Sequence, residues 1–234
     1  MPRTNRLFES LGPATRERLR PHLDIVSLEK GRILCELGDT PRFAYFPLDG
    51  MLSFVGLTED GHALQLATAG SDGLVGTPLL HDGMASPYQV LVQIAGTTQR
   101  VRGDAFVREC RRCEDLLTTV LAYAGRVSHE VVRSAMCHAF HALPQRVCRS
   151  LLVTRDYAHA NTIELTQEVL AHMLGVSRSK VSRALATLEA RRWIHQGHGR
   201  IHIVDLKGLQ AGSCGCYRAA ARDIPIQQPL HGVR

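Results

Sequence analysis

The apolar positions of this chain change period twice. Between residues 22 and 106, short apolar and β-branched segments are punctuated by glycines at 31, 38, 50, 61, 70, 73, 76 and 96. Gly50–Gly56, Ala63–Thr68 and Tyr88–Ile94 are the clearest of these segments. Many short segments with regular turns predict an antiparallel sandwich or small barrel. A short helix over Ala14–Leu19 is predicted ahead of it. A long helix over Glu114–Phe140 should follow, spanning about 40 Å at ~1.5 Å per residue. On it Leu117, Val120, Ala124, Val127 and Val131 alternate three- and four-residue steps, and Ser134 and His138 continue the register. This spacing predicts a coiled-coil seam and therefore dimerisation. The competing use of the stripe is packing on the chain's own barrel.

The period then becomes that of two short helices. Thr166 is placed to cap the first helix. Val169, Leu170, Met173 and Leu174 form its buried stripe, and Ala171 is small enough to let a second helix cross. Gly175 can take the left-handed conformation that ends a helix, and Val176 fills the corner. Ser177 is placed to cap the second helix, whose buried face is Val181, Ala184, Leu185 and Leu188. Arg178, Ser179, Lys180, Ser182 and Arg183 face outward or stand at its N-terminus, with no acid among them. That is the arrangement of a helix-turn-helix whose second helix reads base edges. Thr166 and Gln167 are expected among the DNA-binding residues. Trp193-Ile194, the turn Gly197-His198-Gly199 and the alternating Arg200–Val204 predict a β-hairpin wing, with His198 and Arg200 at its tip over phosphates.

Charge follows the same division. Residues 141–234 hold 13 Arg or Lys against 6 Asp or Glu, and residues 1–140 hold 15 against 16. The excess of cations lies in the half with the motif, as polyanion binding requires. No apolar run has the length of a membrane span and no secretory leader is read at the start, so a soluble, cytoplasmic protein is expected. Seven cysteines, at 35, 110, 113, 137, 148, 214 and 216, are too scattered for a disulfide framework. Cys110-x-x-Cys113 and Cys214-x-Cys216 lie about a hundred residues apart, and all are expected to be reduced structural thiols. No metal ligand is assigned to the cysteines or the histidines.

Barrel, long helix and winged helix-turn-helix, in that order, resemble the Crp/Fnr superfamily of bacterial transcription regulators over nearly the whole chain. The marks are Leu28–Gly31, Glu36–Asp39, Tyr45–Gly50, Gly70–Gly76, Leu165–Leu185 and Gly199–Leu206. Ser213–Tyr217, Ser-Cys-Gly-Cys-Tyr, is similar to one sub-branch of regulators without an assigned role. The resemblance implies an α+β fold: a cyclic-nucleotide-binding-like antiparallel β-barrel (jelly roll) over residues 1–112, a dimerisation helix over 113–142 and a winged helix-turn-helix over 143–234. It implies a homodimer on a palindromic duplex DNA site, RNA polymerase as a protein partner, and a signal acting through barrel and helix.

The chain departs from the family at its ligand residues. Residues 70–89 contain neither the ribose-binding glutamate nor the phosphate-binding arginine of cyclic-nucleotide members, and residues 43–99 contain no Arg or Lys. A phosphate there lacks a charge-assisted donor, which argues against cyclic AMP in the usual mode. One cysteine in the first hundred residues, Cys35, cannot supply an N-terminal iron–sulfur ligand set. The remaining effector candidates are Gly73 and Gly76 with the neutral partners Ser86, Tyr88 and Gln89, or a phosphate anchored by Arg126 or Arg133, or no effector at all. Ser179 also stands where the family often has a cytosine-reading glutamate, leaving Arg178 and Arg183 as the guanine readers. The competing functions are a ligand-binding module whose helix-turn-helix makes protein contacts, and a cupin-like enzyme. The enzyme is disfavoured because His62 and His81 form no His-x-His pair and no catalytic residue is assigned.

Overall fold

The computed structural model describes residues 4–81 and 85–218. The outer limits of the first and last predicted domains therefore lie outside the described residues. Two short helices open the chain, α1 (Arg6–Glu9) and α2 (Pro13–Leu19). Asn5 caps α1 by accepting the Phe8 N–H at 2.8 Å, and its amide donates to the carbonyls of Pro47 and Gly73. Seven strands follow: β1 (Leu23–Leu28), β2 (Ile33–Cys35), β3 (Phe43–Pro47), β4 (Met51–Leu57), β5 (Ala63–Ala69), β6 (Gln89–Ile94) and β7 (Gly96–Arg102).

They form two antiparallel sheets, in the orders β1-β7-β3 and β2-β6-β4-β5. The sheets do not close, so the expected jelly-roll barrel is an open sandwich. The edge that closure would hide is covered from outside instead. Strand β5 is one of the edge strands, and helices pack directly on it, which shields its unpaired edge.

Those helices are α4 (Glu114–Phe140), which follows α3 (Gly103–Arg112), and α6 (Gln167–Leu174). Helix α4 has the predicted limits, but its predicted seam is not a free face. Val120 is fully buried in one core with Phe46, Phe106, Leu116 and Tyr123, and Leu117 packs on the same core. Val127 and Val131 pack on the second sandwich core, around Phe54, Val90 and Val92. Ala124 is half-buried between them. The stripe is spent on the chain's own sheets.

The row one residue further along, Leu121, Gly125, Ser128, Val132, Ala135 and Ala139, has the same alternating spacing and lies on the outer side of the helix, with Leu121 and Val132 exposed. Met136 and Phe140 flank it and are also exposed. One residue is about 100° of helix rotation, so the free apolar face lies a quarter-turn from the predicted one.

The C-terminal half comprises α5 (Leu143–Ala158), β8 (Thr162–Ile163), α6, α7 (Arg178–Ala190), β9 (Ile194–Gly197), β10 (Arg200–Ile203) and α8 (Leu206–Gly212). The wing is a three-stranded sheet, β8-β10-β9, with one strand more than the hairpin expected. Leu151, Leu170, Val181, Leu185, Ile201 and Leu209 lie in one buried core that joins all these elements. The two halves are docked: the Lys30 ammonium donates to the Glu164 carbonyl at 2.7 Å, and the Leu64 side chain lies against Gly175.

Candidate nucleic-acid interface

The corner between α6 and α7 forms for the reasons read from the sequence. The Thr166 hydroxyl accepts the Val169 N–H at 3.2 Å. Gly175 ends α6 at φ 61°, and the Val176 N–H reaches back to the Ala171 carbonyl at 3.1 Å. Ala171 is buried at the crossing, as are Val181, Ala184, Leu185 and Leu188. Ser177 departs from expectation. Its backbone is extended, as an N-cap requires, but its hydroxyl meets the Ser179 hydroxyl at 3.1 Å and caps no N–H. The first N–H groups of α7 thus keep no side-chain acceptor from Ser177, leaving positive partial charge at the helix N-terminus.

Arg178, Ser179 and Lys180 are exposed, as is Arg183, and Ser182 is half-exposed. Leu165–Glu168, Arg178 and the wing residues Gln196, Gly197 and Gly199–Ile201 line one groove of about 480 Å³. The structure therefore brings Thr166, Gln167, Arg178 and Arg200 together. His198 is exposed at the wing turn, and Gly199 takes φ 70° beside the Thr166 methyl. Arg200 is held by Glu164 at 3.0 Å in an exposed ion pair, whose net strength in water is small.

A brace with no counterpart in the sequence reading fixes the wing. Glu189 accepts both the backbone and side-chain N–H groups of Gln196, at 2.8 and 2.9 Å, and Gln196 in turn accepts the Gln167 amide at 3.0 Å. The bonds from Gln196 hold the Glu189 carboxyl below its ordinary range. Helix α7, the wing and the start of α6 are thereby one rigid unit. The link joins positions 167, 189 and 196, and no local pattern announces it.

The alternative effector residues fall in two places. Gly73 carries no side chain because Tyr123 of α4 occupies that space: a Cβ there would lie 2.5 Å from the tyrosine oxygen. Gly76 is held at φ 125° against Ala44. The Ser86 hydroxyl donates to the Tyr88 carbonyl at 2.6 Å, Tyr88 packs edge-on to Phe54, and Gln89 donates to Glu36. Arg126 and Arg133 belong elsewhere. They line a cavity of about 210 Å³ between sandwich, α4 and α5, together with Arg149, Glu130 and Tyr157. Arg126 there donates to the Asp72 carbonyl at 3.2 Å and stacks on Tyr123.

A rigid helix-turn-helix with an exposed cationic second helix and an adjacent wing defines a winged-helix DNA-binding protein, here joined to a two-sheet sandwich. Residues 145–211 match the Crp-like helix-turn-helix domain. The transcriptional regulator SdrP of Thermus thermophilus is 25% identical over 173 residues, covering 71% of this chain and 82% of that one. A Crp/Fnr-family regulator from Eubacterium rectale superposes with a TM-score of 0.74 at 16% identity, over 88% of this chain and 97% of that one. The c-di-GMP-responsive global regulator CLP of Xanthomonas campestris superposes with a TM-score of 0.69 at 18% identity, over 82% and 99%. Residues 145–211 are thus a Crp-like helix-turn-helix domain, the chain shares its fold with regulators of the Crp/Fnr family, and the relatives it resembles are transcription regulators. Among the described residues no helix is long and apolar enough to cross a membrane.

Proposed function

We propose that this chain regulates transcription as a homodimer on a two-fold-symmetric duplex site, with α7 of each protomer in the major groove. The exposed cations Arg178, Lys180 and Arg183 on α7, a helix braced to the wing through Glu189, are the observation that carries this reading. Arg178 and Arg183 are the base readers, and Thr166, Gln167, Lys180, His198 and Arg200 contact the backbone, with Ser177, Ser179 and Ser182 as short polar partners. The dimer forms through the outer row of α4 from Leu121 to Ala139, which sets two recognition helices about one DNA turn, ~34 Å, apart. RNA polymerase is the protein partner that such a regulator addresses. Control, where present, acts through the cavity bearing Arg126 and Arg133, because residues 43–99 offer no cation for cyclic AMP in the usual mode.

Fluorescence anisotropy with duplex DNA across a salt series tests the reading. Affinity should fall steeply with salt, and genome-wide footprints should show an inverted repeat. Arg178→Ala should cost about 1–3 kcal/mol on that repeat and relax one base pair per half-site. Binding with no salt dependence, or footprints without two-fold symmetry, would overturn it.

A further inference from the structure

The fold brings four metal-ligating side chains together where the sequence suggested none. Cys137 and His141 stand one turn apart at the C-terminal end of α4, and Cys214 and Cys216 follow α8. Cys137 Sγ lies 3.5 Å from Cys214 Sγ, and Cys216 Sγ lies 3.6 Å from His141 Nδ1. All four ligand atoms lie within 4.8 Å of one another. On paper Cys214-x-Cys216 pairs with Cys110-x-x-Cys113, but its partners in space are Cys137 and His141, which are joined by helical spacing rather than by a Cys-x-x-Cys.

A tetrahedral zinc ion has Zn–S bonds of about 2.3 Å and Zn–N bonds of about 2.0–2.1 Å, so its ligands stand about 3.8 Å apart for two sulfurs and about 3.6 Å for sulfur and nitrogen. The two closest pairs here already have nearly that spacing. A multi-iron cluster would push the ligands further apart, because bridging sulfides separate its metal atoms. A disulfide would use two of the four groups and leave a thiol and an imidazole converging without cause.

We propose that Cys137, His141, Cys214 and Cys216 form a closed, mononuclear zinc site. Cys137 and Cys214 are buried, while His141 and Cys216 are half-exposed and give the ion a way in. Three thiolates and a neutral imidazole around Zn²⁺ leave one net negative charge. Arg149, on α5, lies near enough to Cys137 and Cys216 to act on both electrostatically, and so offsets that charge. Packing on α8 positions the second pair of ligands. Trp193 lies on Gly208 and Gly212, where a Cβ at either would come within 2.4 Å of its ring, so α8 sits close and delivers Cys214 to the end of α4. The ion would pin the end of the long helix to the last helix of the DNA-binding half. The inference rests on these four side chains and stands whether or not the dimeric DNA reading holds.

The test uses the full chain, produced with zinc in the medium and purified under reducing conditions without chelator. Native mass spectrometry should find about one zinc per chain. Exchange for Co²⁺ should give the sulfur-to-cobalt charge-transfer and intense visible bands of a tetrahedral thiolate site. Cys216→Ser and His141→Ala, at the two half-exposed positions, should each lose stoichiometric zinc and alter the Co²⁺ spectrum, while Cys113→Ser should change neither. The wild-type Co²⁺ spectrum decides the matter if a variant does not fold. A reduced wild type that takes up neither zinc nor Co²⁺, a Co²⁺ spectrum untouched by both variants, or a Cys137–Cys214 disulfide that persists in reductant would each overturn the proposal.

Discussion

Glu130 projects from α4 into the space between sandwich and α5, where the Thr68 hydroxyl lies 3.2 Å from both Glu130 Oε1 and the Tyr157 oxygen. Burial raises its pKa above the ordinary value, against smaller opposing effects from Thr68, Arg149 and Arg133. The folded state therefore binds this proton more tightly than the unfolded chain. Its contribution is full below the unfolded carboxylate pKa, near ~4.3, and is lost as pH rises through the folded value. Glu130→Gln removes that loss, so the variant's stability relative to wild type should rise as pH is raised from about 4 to 7. Denaturant midpoints across that range measure it. A relative stability that falls with pH would show that pairing with Arg133 and Arg149 outweighs burial. Gly73 makes a simpler case. Tyr123 is fully buried, with its oxygen 2.5 Å from where an alanine Cβ would stand. Gly73→Ala should therefore cost roughly 1–3 kcal/mol by overpacking, and an unchanged melting temperature would refute this.

At the scale of elements, α4 carries two apolar rows of identical spacing, offset by one residue. Periodicity alone predicts the helix to its limits but cannot say which row the sheets will cover, since that depends on where the sandwich lies. Local chemistry was enough for Gly175, Ala171 and the Arg178–Arg183 face, because each is fixed within a few residues of itself. Strand β8 was not legible, being two residues long and stabilised only by its partner β10. Nor was the four-ligand cluster, whose halves are separated by the whole DNA-binding domain. The offset between the rows gives a test by paired substitution. Val132→Glu, on the exposed row, should dissociate the proposed dimer and leave thermal stability nearly unchanged. Val127→Glu buries a carboxylate against the sandwich and should cost roughly 1–3 kcal/mol of stability instead. Sedimentation and thermal denaturation of both variants would separate these outcomes. A Val132→Glu protein that stays dimeric would remove this face from the assembly.

Besides the docking contacts of Lys30 and Leu64, the whole molecule is joined at the loop of residues 70–76. Its glycine pattern looks like a ligand cassette, yet three of its glycines serve other parts of the chain. Gly73 admits Tyr123 of α4, Gly76 rests on Ala44 of β3, and Gly70 faces Tyr157 of α5, whose ring atoms lie 2.3 and 2.5 Å from where a Cβ would be. The loop is thus where the sandwich, the long helix and the DNA-binding half touch, and the cavity with Arg126, Arg133 and Arg149 opens beside it. An occupant of that cavity would bear on all three at once, and linkage requires it to bind one arrangement of the halves more tightly than another. Gly70→Val mimics such a push without a ligand. It displaces Tyr157, and so should loosen α5 and α6 from β5 while leaving the cores of both halves intact. Hydrogen exchange would register this as faster exchange confined to β5 and to the helix faces packed on it, about tenfold for each 1.4 kcal/mol of docking lost. The spacing of DNA footprints should loosen with it. Faster exchange spread evenly through both cores would mean that Gly70 supports global stability alone, and would leave the loop with no part in coupling the two halves.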